Sequence, residues 1–166
     1  MVYRRPEHGV LTALHQTAAT RLEVAESEGR MSESAEAIAE AFVRAINRQD
    51  VDALAALMAE DHRFVDSLGN LVRGRENMRV AWDAYFRMVP DYTIAVEEIY
   101  CGAPVVVLLG VAQGSYAPGG PIRKENQWET PVAIRVFVEE GKVSEWRVYA
   151  DNEPIRRLMR AERPAA

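Results

Sequence analysis

The feature that most constrains this chain is a change of hydrophobic period at Tyr92. Upstream of it, apolar residues recur at helical spacing; downstream they alternate or run together in strand-length segments. Ile38, Phe42 and Ile46 share one helical face with Ala35, Ala39 and Ala45 beside them, which predicts an amphipathic first helix. Ser32 or Ser34 is placed to cap it. Asp50 is placed to cap a short second helix, with Leu54, Leu57 and Met58 facing in. Arg63 to Asp66 and Leu71 to Arg73 read as short strands around a Gly69-Asn70 turn. Gly74 breaks before a third helix, whose stripe is Met78, Trp82, Tyr85, Phe86 and Val89 and which ends at Pro90-Asp91.

Downstream, strands are expected at Thr93 to Tyr100, Val105 to Tyr116, Gln127 to Val138 and Val143 to Ala150. Ala117 to Pro121 is a loop rich in turn residues, and Glu140-Gly141 is a hairpin turn. Glu153 to Arg160 can form a terminal helix. Helices followed by a run of antiparallel strands define an α+β chain.

Its 166 residues suit one domain with a single core. We divide them into an N-terminal extension, 1–30, and the domain proper, 31–166. The extension carries Val10, Leu11, Leu14, Ala18, Leu22 and Ala25 at helical spacing, a thin and Ala-rich face. The net charge of -5 argues against nucleic acid or an anionic membrane as the main partner. No apolar run approaches the length of a membrane span. Cys101 is the single cysteine, so no internal disulfide forms, and a soluble cytoplasmic protein is expected.

Phe42 to Gly69, with its helix, Asp50, a Leu/Met helix, Ala59-Glu60-Asp61, Val65-Asp66 and Gly69, resembles ketosteroid isomerase without a gap. Gly74-Arg75-Glu76 is similar to that family's opening of the third helix. Val136-Phe137, Glu140 to Val143 and Trp146 to Asp151 resemble the last hairpin of SnoaL-like and limonene-epoxide-hydrolase-like proteins, all within the nuclear-transport-factor-2-like group. The resemblance spans roughly 34–160. It implies three helices packed on a curved antiparallel sheet, a cystatin-like cone with an internal apolar pocket. It does not by itself fix a function.

The isomerase family uses an Asp base with a Tyr and a protonated Asp as oxyanion donors. Carried over by position, the base falls on Asp66, the Tyr on Phe42 and the second Asp on Ala133. The base is kept and both donors are lost, at about 3 kcal/mol or more of enolate stabilisation each. The epoxide-hydrolase branch needs two aspartates bridged by Arg; one would fall on Val148, and the long strand is apolar from Val107 to Ala112.

Asp66 lies among Phe64, Val65 and Leu68, where desolvation would raise its pKa toward that of a general base. The competing role is a turn residue accepting from nearby amides. Phe42, Trp82, Tyr85, Phe86, Trp146, Val148 and Ala150 are expected to line the pocket, against simple core packing for each alone. Glu129, Ala133 and Arg135 share one face of their strand; Glu129 and Arg135 could pair inside, one could serve as a substitute acid, or one could lie at the rim. Gln113 and Tyr116 could supply donors at the mouth or form a solvated strand end. His62 could be catalytic but is expected as a surface residue at a helix end. The histidines are not spaced as a metal site, and no cofactor is implied. Cys101 is expected in a turn, and Arg156, Arg157 and Arg160 on a solvated helix face. Trp128, Val132, Ile134, Val136 and Tyr149 are assigned to the outer sheet face, buried in a homodimer.

Two functions follow. One is isomerase- or cyclase-like proton transfer on an apolar carbonyl or polyketide-type substrate, with Asp66 as base. The other is a non-catalytic module that binds an apolar ligand or dimerises.

Overall fold

The computed structural model describes the backbone from His8 to Ala161 and side chains at Arg21 and from Glu23 onward, except Ser32 and Glu33. The apolar positions Val10 to Leu22, and His8 and His15, therefore fall outside the described side chains. Four helices pack with one six-stranded sheet. The elements run α1 (His8–Asn47), α2 (Val51–Leu57), β1 (Met58–Val65), β2 (Leu71–Arg73), α3 (Arg75–Met88), β3 (Thr93–Gly102), β4 (Val105–Ser115), β5 (Gln127–Glu139), β6 (Lys142–Ala150) and α4 (Glu153–Ala161). The α+β cone expected from the sequence is present.

The first helix does not start at Ser32 or Ser34. It is continuous from His8, so neither serine is its cap. Among its described residues, burial is confined to the last third: Ala35, Ala39, Phe42, Val43, Ala45 and Ile46 are buried, whereas residues 23–31 are exposed. Asp50 caps α2 as its side chain and spacing dictate, Oδ1 accepting from the Ala53 amide at 2.9 Å. Met58, expected on α2, instead opens β1, and is still fully buried.

The strand order is β2-β1-β6-β5-β4-β3. All neighbours are antiparallel except β1 and β6, which are parallel because the chain crosses the whole sheet between them. Register shifts between Met58 and Arg63, Val96 and Glu98, and Phe137 and Val138 bend the sheet. Gly110 sits inside one of these bends; a Cβ there would lie 2.0 Å from the Ala95 carbonyl oxygen, so only glycine fits. The curved sheet wraps around α3 and the end of α1, and the core lies between these layers. No helix among the described residues is long and apolar enough to cross a membrane.

The faces of β5 are reversed from the sequence-based expectation. Trp128, Thr130, Val132, Ile134, Val136 and Val138 are buried and face the helices. Glu129, Ala133 and Arg135 lie on the outside. The positional match that placed a buried acid at Ala133 set the strand one residue out of phase, and in a strand that inverts every side chain. Plain alternation of apolar residues would have given the right face. On β6 the alternation holds: Trp146, Val148 and Ala150 pair across with Val136, Ile134 and Val132 on the inner face, and Tyr149 points outward, 50% exposed.

Candidate functional site

Between α3 and the concave sheet lies a cavity of about 290 Å³, near the lower limit for small-molecule sites. Helix α3 supplies Met78, Ala81, Trp82 and Tyr85 to its wall. These residues fall at i, i+3, i+4 and i+7, one helical face. The sheet supplies Trp128, Thr130 and Val132 from β5 and Trp146, Val148 and Ala150 from β6. Phe64 and Ala112 add to the sheet wall, and Tyr92 closes the loop before β3.

The wall is a continuous aromatic cluster. Trp82 stacks on Phe86 at 5.2 Å and meets Tyr85 and Phe64 edge-on at 6.0 and 6.3 Å. Tyr92 meets Tyr85 edge-on at 5.0 Å and stacks on Trp128 at 6.0 Å. Such pairs add about 1 kcal/mol each beyond their buried area. Burial pushes the Tyr85 and Tyr92 hydroxyls well above their ordinary pKa, so both stay protonated and able to donate.

The mouth is polar. Asp66, Ser67 and Asn152 line it, from the β1–β2 turn and the β6–α4 junction. The Asn152 side-chain amide donates to Ser67 Oγ at 2.9 Å. Asp66 Oδ1 accepts from the amides of Leu68 at 2.9 Å and Asn70 at 2.8 Å, and Oδ2 accepts from Asn70 Nδ2 at 2.8 Å. Gly69, with φ +86°, makes the turn that brings these donors round. Burial alone would raise the pKa of Asp66, but the bonds from the Asn70 side chain and the Asn70 and Leu68 amides, with the Arg156 charge, outweigh it and the pKa is lowered. The raised pKa expected from the apolar neighbours is therefore not found. Asp66 is at once a turn residue and part of the cavity wall.

The remaining candidates lie elsewhere. Phe42 is fully buried behind the wall, stacked on Trp146 at 4.7 Å, and Phe86 is covered by Trp82. Tyr116 packs partly buried against the core away from the cavity. Glu129 and Gln113 border a separate open depression beside Asp91. Ala133 faces outward. Arg135 pairs on the outer face with Glu145, which also pairs with Arg63. Cys101 is in β3, partly buried against the core, rather than in a turn. Arg157 and Arg160 pair with Glu153 on α4.

His62 is fully buried, not a surface residue. It falls on the inner side of β1 by alternation with Phe64. Its Nδ1 donates to the Val143 carbonyl at 2.8 Å, and its ring stacks near Phe42 at 6.0 Å. Desolvation lowers its pKa, more than the Val143 bond and the charges of Asp61 and Glu145 raise it, so the ring is neutral. Among the described residues no group of His, Cys, Asp and Glu could hold a metal ion. The sequence reading missed Tyr92, taken only as the point where the pattern changes, and Trp128 and Val132, placed on the wrong face. Extending the Trp146 face across the β5–β6 pairing would have found the latter two.

Residues 39–146 match the SnoaL-like domain family. The chain belongs to that family. Solved structures agree on the fold. A SnoaL-like polyketide cyclase candidate from Shewanella denitrificans is 14% identical with a TM-score of 0.66, covering 77% of this chain and 98% of its own. A ketosteroid isomerase-like protein from Catenulispora acidiphila, in complex with trimethylamine, is 20% identical with a TM-score of 0.62, covering 71% and 88%. An epoxide hydrolase of the limonene-epoxide-hydrolase-like type from M. tuberculosis is 18% identical with a TM-score of 0.64, covering 78% and 92%. No curated protein matches the chain.

Proposed function

We propose that this chain binds an apolar, ring-bearing small molecule of the carbonyl or polyketide type in the α3–sheet cavity. One observation carries the reading: a space of about 290 Å³ stays open between aromatic walls although Trp82 and Trp146 both border it. An unfilled apolar cavity costs roughly 24 cal/mol per Å³ in lost packing, so a purely structural core would close it. The trimethylamine complex of the Catenulispora protein supports the reading, since the same fold there accommodates a small molecule. All three tryptophans border the cavity, so their emission reports occupancy. Titration with ring ketones, lactones and their hydrocarbon counterparts should give saturable quenching; no saturable response from any class would contradict the reading.

Proton transfer by Asp66 is the second reading, isomerase- or cyclase-like. Its place at the cavity mouth favours it. The three hydrogen bonds that stabilise the ionised carboxylate make it a weaker base. A panel of β,γ-unsaturated ketones, β-keto esters and epoxides separates the two. Turnover abolished by Asp66→Asn establishes the base; binding without turnover in wild type leaves the pocket a binding site. Neither reading requires a cofactor.

The same proposal includes a homodimer through the outer sheet face. Val107, Leu109, Val111, Ala133, Phe137 and Tyr149 form that face, half-buried or exposed in the monomer. An apolar surface of this kind, interrupted on β5 and β6 by Arg135 and Arg147, is ordinarily covered. We also keep 31–166 as the domain, with 1–30 as an extension and a cytoplasmic location; the exposure of residues 23–31 and the family match beginning at 39 support the division.

A further inference from the structure

The cavity joins two features that an apolar ligand does not use, a set of aromatic walls and a carboxylate. Six aromatic side chains border it, Phe64, Trp82, Tyr85, Tyr92, Trp128 and Trp146. Tyr85 lies edge-on to Trp82 and to Tyr92, at 81° and 88°, whereas Tyr92 lies within 33° of Trp82 and 27° of Trp128. The rings thus stand in two roughly perpendicular sets, as the walls of a box do. The indole N–H groups of Trp82 and Trp128 have no open surface, so both residues border the space with ring carbon. The face of such a ring carries partial negative charge.

Among the described residues that line the cavity, Asp66 alone carries a charge at neutral pH. Burial holds the Tyr85 and Tyr92 hydroxyls protonated, and the bonds from Asn70 and Leu68 hold Asp66 ionised. Oδ2 of Asp66 accepts one bond, from Asn70 Nδ2, and keeps room for another partner. The charge of Arg156 reaches Asp66, but Arg156 does not border the cavity. The chain as a whole is acidic, at -5. A neutral occupant gains nothing from this field and an anion is repelled by it. A cation gains from the carboxylate and from the rings together.

We propose that the cavity takes an organic cation, a tertiary or quaternary methylated ammonium, held by the aromatic walls with Asp66 at the mouth as its counter-charge. This rests on the reading of the cavity as a ligand site and adds a ligand class of different charge. Methylation decides which cations enter. A metal ion or a bare ammonium group holds its water too tightly to exchange it for ring carbon, whereas methyl groups spread the charge over an apolar surface. A trimethylammonium group with a short tail suits a space of about 290 Å³.

Choline and 3,3-dimethyl-1-butanol share a shape and differ in one atom, a charged nitrogen in place of a carbon. Titration of the full chain, followed by tryptophan emission, should show choline binding about tenfold tighter than the alcohol. Asp66→Asn should weaken choline about fivefold and leave the alcohol within about twofold. Arg156→Gln removes the opposing charge and should tighten choline about twofold, a gain that a folding defect does not produce. In proton spectra of choline with wild type, ring currents should move the N-methyl resonance upfield, which a contact with Asp66 outside the cavity does not do. Equal affinity for the two compounds, an N-methyl resonance that does not move, or choline affinity unchanged in both variants overturns the inference. Saturable binding of ring ketones without any of choline also overturns it and leaves the cavity a ligand site. Failure of choline and of the whole fluorescence panel overturns the cavity reading and the inference with it.

Discussion

Asn152 reaches across the cavity mouth to Ser67, its side-chain amide 2.9 Å from the hydroxyl oxygen. The two residues are 85 positions apart. Asn152 also gives its backbone carbonyl to the Arg156 amide at the first turn of α4. One residue thus starts the last helix and ties it to the β1–β2 turn that carries Asp66. Asn152→Ala should cost about 1 kcal/mol, the net worth of one hydrogen bond. Its larger effect should be local, with faster hydrogen exchange at the Leu68 and Asn70 amides. Denaturant unfolding and exchange mass spectrometry check the two parts.

Asp66 should leave an acid-side signature. Its folded pKa is below the ordinary carboxylate value, so the stability it contributes is fully present above about pH 4. That contribution is lost as pH falls through the lower folded value. Asp66→Asn keeps one acceptor oxygen but loses the charge and the bond from Asn70 Nδ2. It should be less stable than wild type at pH 7, by about 1–2 kcal/mol, and the difference should shrink as pH falls below about 4. Urea midpoints across that range provide the comparison.

His62 predicts a second, separate pH effect. Its folded pKa lies below 6.5, so the unfolded chain takes up the proton first. Stability should be full above neutrality and should decline as pH falls below about 6.5 toward the folded value. The charges that face the ring, Asp61 and Glu145, soften this decline without cancelling it. His62→Asn should flatten the melting temperature between pH 7.5 and 5.5, apart from the shallow carboxylate trend.

The outer face gives a solution test. Leu109 lies at its centre, paired across to Ala133 and through it to Tyr149. Wild type should sediment as a dimer. Leu109→Asp, at a site half-open in the monomer, should sediment as a monomer with secondary structure unchanged. A monomeric wild type would remove this part of the account.

The parts of the fold that were legible in the sequence were those where one signal acts alone. Asp50 caps α2 because a lone carboxylate precedes an apolar helix, and Leu71 to Arg73 is the short strand that its flanking glycines bound. The Trp146, Val148 and Ala150 face followed from alternation. The failures came where two signals competed. On β5 both faces carry apolar residues, so a positional match to a buried acid overrode the stronger Trp128-to-Val138 alternation. At Ser32 a capping residue sits within a stretch that helix propensity carries straight through. Asp66 is among the residues that line the cavity, but its pKa direction depended on Asn70, four residues on, folding back to meet it. That contact exists only once the Gly69 turn is formed.

The central claim is that the space bordered by Trp82, Trp128 and Trp146 is where a ligand sits. Ala150 lines it at the end of β6, and Ala150→Phe places a ring in that space. The decisive measurement is the affinity of the tightest compound from the fluorescence panel for wild type and for Ala150→Phe, with unfolding of both followed in parallel. The account predicts at least about tenfold weaker binding to the variant, with its stability within about 1 kcal/mol of wild type because a void is filled rather than a packed core expanded. Undiminished binding by a folded Ala150→Phe protein would place the ligand outside the cavity and contradict the account.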